Sequence, residues 1–226
     1  MLPDFLHISN EDNMALMSRY QDNHFDVAIV DPPYGIGDSW SKNRKDRFFQ
    51  NGKLHTYQNT EAPSFEFFEE LKRVSKNQII WGGNYFTEFL EPTNSWIVWN
   101  KKRKAAKTFM SEAELAWTSY KKVMRIADFL WDGCKKCEKV SKWHPHQKPW
   151  SLYEWVISEY CSREDKILDT NLGSMSIALA VDHINRINGW SLELTGCELE
   201  PHYYESGIKK LGLYMSQTKI MLNESL

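Results

Sequence analysis

Asp31-Pro32-Pro33-Tyr34 puts a carboxylate, two prolines and an aromatic ring in consecutive positions, directly after the apolar run Phe25-Asp26-Val27-Ala28-Ile29-Val30. The prolines end regular strand pairing and fix φ, so the carbonyls beside Asp31 are held stiffly. A carboxylate and a rigid carbonyl are two acceptors that can take both hydrogens of one amine. An amine conjugated to an aromatic ring needs such help, because its lone pair is delocalised until the nitrogen is drawn toward tetrahedral geometry. Tyr34 adds a flat surface on which the ring can stack. Four residues of this kind also suit a plain turn closing a strand, so the elements around them decide.

Those elements alternate. The run 25–30 predicts a buried strand that delivers the Asp31 loop. Residues 35–63 are polar, basic and aromatic with no clear period, which suggests a lid. Phe65, Phe68, Leu71 and Val74 recur at helical spacing over 64–76. The β-branched and aromatic stretches 77–82, 95–99 and 114–118 predict further strands, with Trp81, Trp96, Trp99 and Trp117 packed inside. Residues 119–143 carry basic charge and little periodicity, and form a small insert. A helical pattern returns over 150–161. The last third reads as strand 166–169, helix 174–188, strand 194–198 and helix 202–211, a βαβα unit. The whole implies one doubly wound α/β domain over 1–226, with a mostly parallel sheet. In such sheets ligands bind at the carboxyl ends of strands, where Asp31 lies.

Composition bounds the alternatives. In 226 residues, 42% hydrophobic and 26% charged residues are ordinary for a globular chain. No run approaches the ~18 apolar residues of a membrane span, and the first residues lack a basic start followed by an apolar stretch, so a cytoplasmic protein without membrane contact is expected. Cys134, Cys137, Cys161 and Cys197 read as reduced thiols. Cys134 and Cys137 with His144 and His146 have zinc-ligand types, but without a clear second pair no metal is assigned. The net charge of −2 excludes a uniformly basic coat, yet residues 101–148 hold 13 Lys and Arg against 5 Asp and Glu. Any polyanion contact is local to that stretch and to the loop after Tyr34.

Several motifs together resemble one family. Asp-Pro-Pro-Tyr after a strand, also found with Asn or Ser first, is the signature of the DNA amino-methyltransferases. His144-Pro145-His146-Gln147-Lys148-Pro149 resembles the His-Pro-Thr-Gln-Lys-Pro element of their beta-ordered group, with one position changed. Asp169-Thr170-Asn171-Leu172-Gly173-Ser174-Met175-Ser176 falls where that group carries its cofactor loop, and Gly196-Cys197-Glu198-Leu199-Glu200-Pro201 resembles its acidic second strand. The order of these parts agrees over roughly residues 5–213. The resemblance implies a three-layer Rossmann-like methyltransferase fold with an antiparallel strand and a small target-recognition insert at 119–143.

It also implies transfer of a methyl group from S-adenosylmethionine to a base flipped out of DNA, with Asp31, Pro32, Pro33 and Tyr34 catalytic. Asp in the first place favours adenine N6; cytosine N4 uses the same chemistry and remains the alternative. The implied cofactor residues are Asp12, Lys148, Asp169, Asn171, Gly173, Ser174 and Glu198. Gly173 would admit close backbone approach, Ser174 would open a helix with free N–H groups, Glu198 would accept ribose hydroxyls, and Lys148 suits a carboxylate. Asp12 corresponds to an acidic position near the cofactor adenine, or caps a helix. The loop departs from the usual Asp-Pro-Phe-x-Gly-Ser-Gly-Thr at Thr170, Asn171, Met175 and Ser176, which leaves open a DNA-binding relative that no longer transfers methyl. Lys42, Arg44, Lys101, Lys102, Arg103, Lys104, Lys121, Lys122 and Arg125 are the expected DNA contacts, and a short recognition insert is compatible with a homodimer sharing the task.

Overall fold

The computed structural model describes residues 2–36, 47–50, 53–56, 61–102, 111–132, 135–138, 143–144 and 146–223. β1 (Leu6–Ser9) and the short α1 (Asn13–Met17) lead into β2 (Phe25–Val30). β2 reads as a continuous apolar run because both of its faces are covered: Val27 and Ile29 enter one core cluster, Ala28 and Val30 the other. β3 (Arg47–Gln50) and β4 (Lys53–Thr56) form a separate antiparallel hairpin within the stretch that shows no period in the sequence. α2 (Phe65–Val74) runs straight into β5 (Ser75–Trp81). α2 buries Phe67, Phe68, Leu71 and Val74, whereas Phe65 at its first position stays half exposed. Each of the fully buried Phe68 and Leu71 side chains stabilises the sheet–helix contact by about 1.5–3 kcal/mol.

After a 3-10 turn at Gly83–Tyr85 come β6 (Trp96–Asn100), β7 (Ala113–Thr118) and β8 (Arg125–Asp128), then the two-residue strands β9 (Trp131–Asp132) and β10 (Lys135–Lys136) as a small hairpin. α3 (Trp150–Tyr160), β11 (Lys166–Asp169), α4 (Ser176–Asn188), β12 (Glu193–Cys197) and α5 (Pro201–Asn223) complete the chain. α4 starts two residues later than the sequence suggests. Met175 adopts a left-handed conformation (φ 57°), so the helix cannot include Ser174. α5 runs past 211, with Leu211 and Met215 still in the core.

The main sheet has eight strands in the order β1-β12-β11-β2-β5-β7-β6-β8. β7 alone runs antiparallel to its neighbours β5 and β6; every other pairing is parallel. α3, α4 and α5 pack on one face through Leu152, Val156, Ile177, Val181 and Leu211. On the other face, α1 and α2 pack through Leu16, Met17, Phe68 and Leu71. This is the three-layer, mostly parallel α/β fold expected from the sequence, and the basic insert contributes the edge strand β8. The chain leaves β11 toward β12 and leaves β2 toward β5, in opposite directions across the sheet. A crevice therefore opens between the carboxyl ends of β11 and β2, a topological switch point.

Candidate active site

Asp31 and Asp169 end the two strands that flank this crevice. β11 and β2 pair in register, Ile167 with Val27 and Leu168 with Ala28, so both carboxylates emerge at the same rim. Asp31 Oδ1 accepts the Tyr34 hydroxyl at 2.8 Å, and Asp31 Oδ2 accepts Lys148 Nζ at 2.5 Å. Lys148 Nζ also donates to the Tyr34 hydroxyl at 3.3 Å and lies 3.1 Å from Glu114 Oε2, an ion pair without hydrogen-bond geometry. Glu114 Oε1 in turn accepts Lys101 Nζ at 2.5 Å. The result is an alternating row, Asp31, Lys148, Glu114, Lys101, whose charges cancel around the buried Lys148.

Burial alone would drive the Glu114 carboxyl up and the Lys148 ammonium down. For Glu114 the facing Lys148 and Lys101 overcome this and hold the carboxyl at about 2. For Lys148 the Asp31 and Glu114 carboxylates raise its pKa above the ordinary lysine value. The Tyr34 hydroxyl is pushed well up by burial and by Asp31 and Glu114, so it serves as a donor.

Tyr34 sits closer than any side chain other than glycine's would allow at position 82. A Cβ on Gly82 (φ +69°) would fall 2.2 Å from Tyr34 Cε1. A face of the ring is stacked on Tyr85, with centroids 5.0 Å apart and planes 18° apart, while Tyr85 itself is half exposed.

The cofactor-loop residues line the other side. Asp169 is buried; burial, with Asp31 and Glu198 nearby, pushes its carboxyl up to about 8 against the Asn171 N–H (2.9 Å) and Lys148. Gly173 (φ +48°) lies under the His144 ring, 3.2 Å from where a Cβ would be, and donates its N–H to Glu198 Oε2 at 2.8 Å. Glu198 Oε1 accepts the Glu200 N–H at 2.9 Å, and burial raises its carboxyl too. Ser174 Oγ pairs with Ser176 Oγ at 2.9 Å, and Ser176 Oγ donates to the Lys148 carbonyl at 2.8 Å. Met175, where the family has glycine, keeps the left-handed turn by straining a side-chain-bearing residue, and its sulfur packs against Gly207 of α5. Asp12 is a helix cap: Oδ1 accepts the N–H groups of Met14 and Ala15 at 2.9 and 3.1 Å. Its neighbour Asn10 donates to the Glu198 carbonyl at 2.6 Å, so Asp12 stands on the same rim.

The structure thus brings together Asp31, Tyr34, Lys148, Asp169, Asn171, Gly173 and Glu198. Lys148, expected on a cofactor carboxylate, has its ammonium among Asp31, Tyr34 and Glu114. Of the basic residues, Lys42, Arg44, Arg103 and Lys104 lie outside the described residues. Lys101 is turned inward onto Glu114 and over the Trp99 ring at 5.0 Å, so it does not face phosphates. Lys102, exposed at the catalytic rim, pairs with Asp128 at 2.9 Å. Lys121 and Lys122 follow the antiparallel β7 and so lie toward the opposite end of the sheet. There Lys122 donates to the Glu159 carbonyl at the end of α3 (2.6 Å) and covers the Tyr160 ring. Arg125, at the start of the edge strand β8 opposite Ile97, is also removed from the rim. These three do not form one surface with Asp31.

Glu114, Gly82 and Tyr85 are absent from the sequence-based set. A signal existed for Glu114, a lone acid inside the apolar strand Ala113–Thr118, because such a residue is seldom buried without a partner. Gly82 ended the expected strand 77–82, and Tyr85 lies in the 3-10 turn beyond it, for which the sequence carried no signal. A basic donor set for phosphate is not what this crevice offers. Among the described residues, Asp31, Asp169 and Glu198 line it against the central cation Lys148, an environment suited to a ligand that brings positive charge.

Comparison with known proteins agrees with this reading. A family model described as DNA methylase matches residues 64–210. The Type II methyltransferase M.HpaI of Haemophilus parainfluenzae is 26% identical over 235 residues, covering 86% of this chain and 70% of the relative. The fold is shared with the M1.HpyAVI–SAM complex (TM-score 0.56, 20% identity, 91% of this chain and 99% of that one). It is shared also with the PvuII DNA methyltransferase, described as cytosine-N4-specific (TM-score 0.55, 13% identity, 94% of each chain).

Proposed function

We propose that this chain, which belongs to the DNA methylase family of N6/N4 amino-methyltransferases, methylates the N6 amine of an adenine flipped out of DNA. The observation that carries the reading is Asp31: a carboxylate at the switch point, one oxygen held by Lys148 and the other bonded only to the exchangeable Tyr34 hydroxyl. S-adenosylmethionine, the family's methyl donor, supplies a methyl carbon made electrophilic by the adjoining sulfonium. Asp169, Gly173 and Glu198 are the residues that would hold it: two buried acids whose raised pKa values a cation would relieve, and a glycine cradle between them.

Asp31 Oδ1 accepts one amine hydrogen and a carbonyl of the Pro32-Pro33 segment the other, which localises the nitrogen lone pair toward the methyl carbon. Transfer to that nitrogen would leave it positive and carrying one hydrogen too many, beside the Asp31 carboxylate. Its surplus proton passes to Asp31 and then to solvent. Tyr34 and Tyr85 offer aromatic surface for a base that has lost its stacking partners. Nothing in this chemistry separates adenine from cytosine; Asp at the first motif position favours adenine.

The test is transfer of labelled methyl from S-adenosylmethionine to mixed-sequence DNA, followed by digestion to nucleosides. Label in N6-methyladenine, abolished by Asp31→Ala, is the expected result. Label in N4-methylcytosine would keep the mechanism and change the base. Absence of label, with DNA still bound, would make the chain a binding protein.

A further inference from the structure

Glu114 stands on β7, distant in sequence from every motif that resembles the family, yet it touches the central cation of the site. Building on the reading of the site as an amino-methyltransferase, we propose that Glu114 is a positioning residue. It holds the Lys148 ammonium against Asp31 Oδ2 and so fixes the Asp31 carboxylate with Oδ1 toward the target amine.

The geometry divides the two Glu114 oxygens between two lysines. Oε1 takes Lys101 at 2.5 Å; Oε2 is buried, receives no hydrogen bond, and faces Lys148 at 3.1 Å. The Lys148 backbone is tied at its other end, its carbonyl accepting Ser176 Oγ at 2.8 Å. A lysine ammonium is a compact charge on a flexible four-carbon stem. With nothing on its far side it can slide between the Asp31 oxygens or toward Asp169. Glu114 is the far side: it is set opposite Trp99 in the sheet and cannot follow such a slide. Were its task only to neutralise Lys101, one oxygen would suffice, and a buried ion pair is often replaceable by apolar residues without loss of stability.

Glu114→Gln keeps the shape and removes the charge. We expect its single-turnover rate to fall by about 10–100-fold, the range for a reacting carboxylate misplaced by a fraction of an ångström to about one. The S-adenosylmethionine dissociation constant, measured by calorimetry, should stay within about 2-fold, as for a group that does not touch the cofactor. The 15N resonance of the Lys148 ammonium should titrate at lower pH than in the parent. The groups facing that ammonium are Asp31, Tyr34, Glu114 and, farther off, Asp169, with Tyr153 from α3 and Lys101 behind the carboxylates; only Glu114 changes.

Because Glu114→Gln leaves the part-buried Lys101 without its counter-charge, a double variant with Lys101→Met is needed. It should recover folding stability but not the rate. An unchanged rate in the single variant, or a restored rate in the double one, would overturn the proposal and leave Glu114 a counter-ion for Lys101. If the parent binds S-adenosylmethionine and labels no DNA, the methyltransferase reading fails. The Lys148 titration then still decides whether Glu114 holds the ammonium.

Discussion

Replacing Lys148 by methionine keeps most of the side-chain volume and removes a buried cation held between two part-buried acids, Asp31 and Glu114. The magnitude follows from Glu114. Its carboxyl falls from 4.5 to about 2 under the joint influence of Lys148 and Lys101, which prevail over burial. At ~1.4 kcal/mol for each pH unit this is about 3 kcal/mol of stability. Losing Lys148 forfeits a large part of it and also strips Asp31 of its partner, so a cost of about 3–5 kcal/mol is expected, as for breaking a buried pair from one side. At roughly 2–4 °C per kcal/mol for a chain of this size, Tm should drop by about 6–20 °C.

The sign with pH is fixed. A depressed acid contributes stability that is present above its unfolded pKa, near 4.5, and lost as pH falls toward 2. The parent loses this contribution in acid and the variant has less of it to lose. The gap between them should therefore narrow from about pH 7 to about pH 3. Urea unfolding of both proteins at the two pH values measures the gap. A gap below about 1 kcal/mol at neutral pH, or one that does not shrink in acid, would refute the assignment of Lys148 to Asp31 and Glu114.

Tyr85→Ala should weaken DNA binding by the worth of one stacking surface, about 1–3 kcal/mol, or roughly 5–150-fold, and leave S-adenosylmethionine affinity alone; fluorescence anisotropy with a mismatched-target duplex measures it. Met175→Gly should relieve about 1 kcal/mol of left-handed strain but lose a buried side chain worth about 2–5 kcal/mol, for a net destabilisation in thermal unfolding; a stabilised variant would show that its packing on Gly207 counts for little. Asp12→Ala should cost about 1 kcal/mol through the lost cap. Calorimetric affinity for S-adenosylmethionine then separates the two readings of Asp12, since loss of a cap alone leaves that affinity nearly unchanged.

What the sequence revealed and what it concealed follow from the range of the interactions involved. Strands such as 25–30 and 166–169 are buried on both faces, so local composition reports them, and the proline pair and Gly173 mark turns whose backbone demands are local too. The mostly parallel sheet, with ligands at the carboxyl ends of its strands, could be anticipated because alternating helices and strands permit few topologies, whereas the strand order that sets the switch point is a matter of long-range pairing. The start of α4 was misplaced because glycine's usual conformational role at position 175 is carried by Met175, whose side chain gives no hint of a positive φ.

The placement of the basic residues was concealed for a related reason. A count of charge along residues 101–148 cannot see that β7 runs against its neighbours. That single reversal sends Lys121 and Lys122 toward the far end of the sheet and brings Glu114 up to the catalytic rim, where it turns Lys101 inward. The same antiparallel strand that removes three expected phosphate contacts from the neighbourhood of Asp31 thus supplies the acid that orders Lys148. Net positive charge in this stretch therefore includes a structural role inside the site, carried by Lys101 and Lys148, while among the described residues Lys102 stands exposed at the rim beside Asp128.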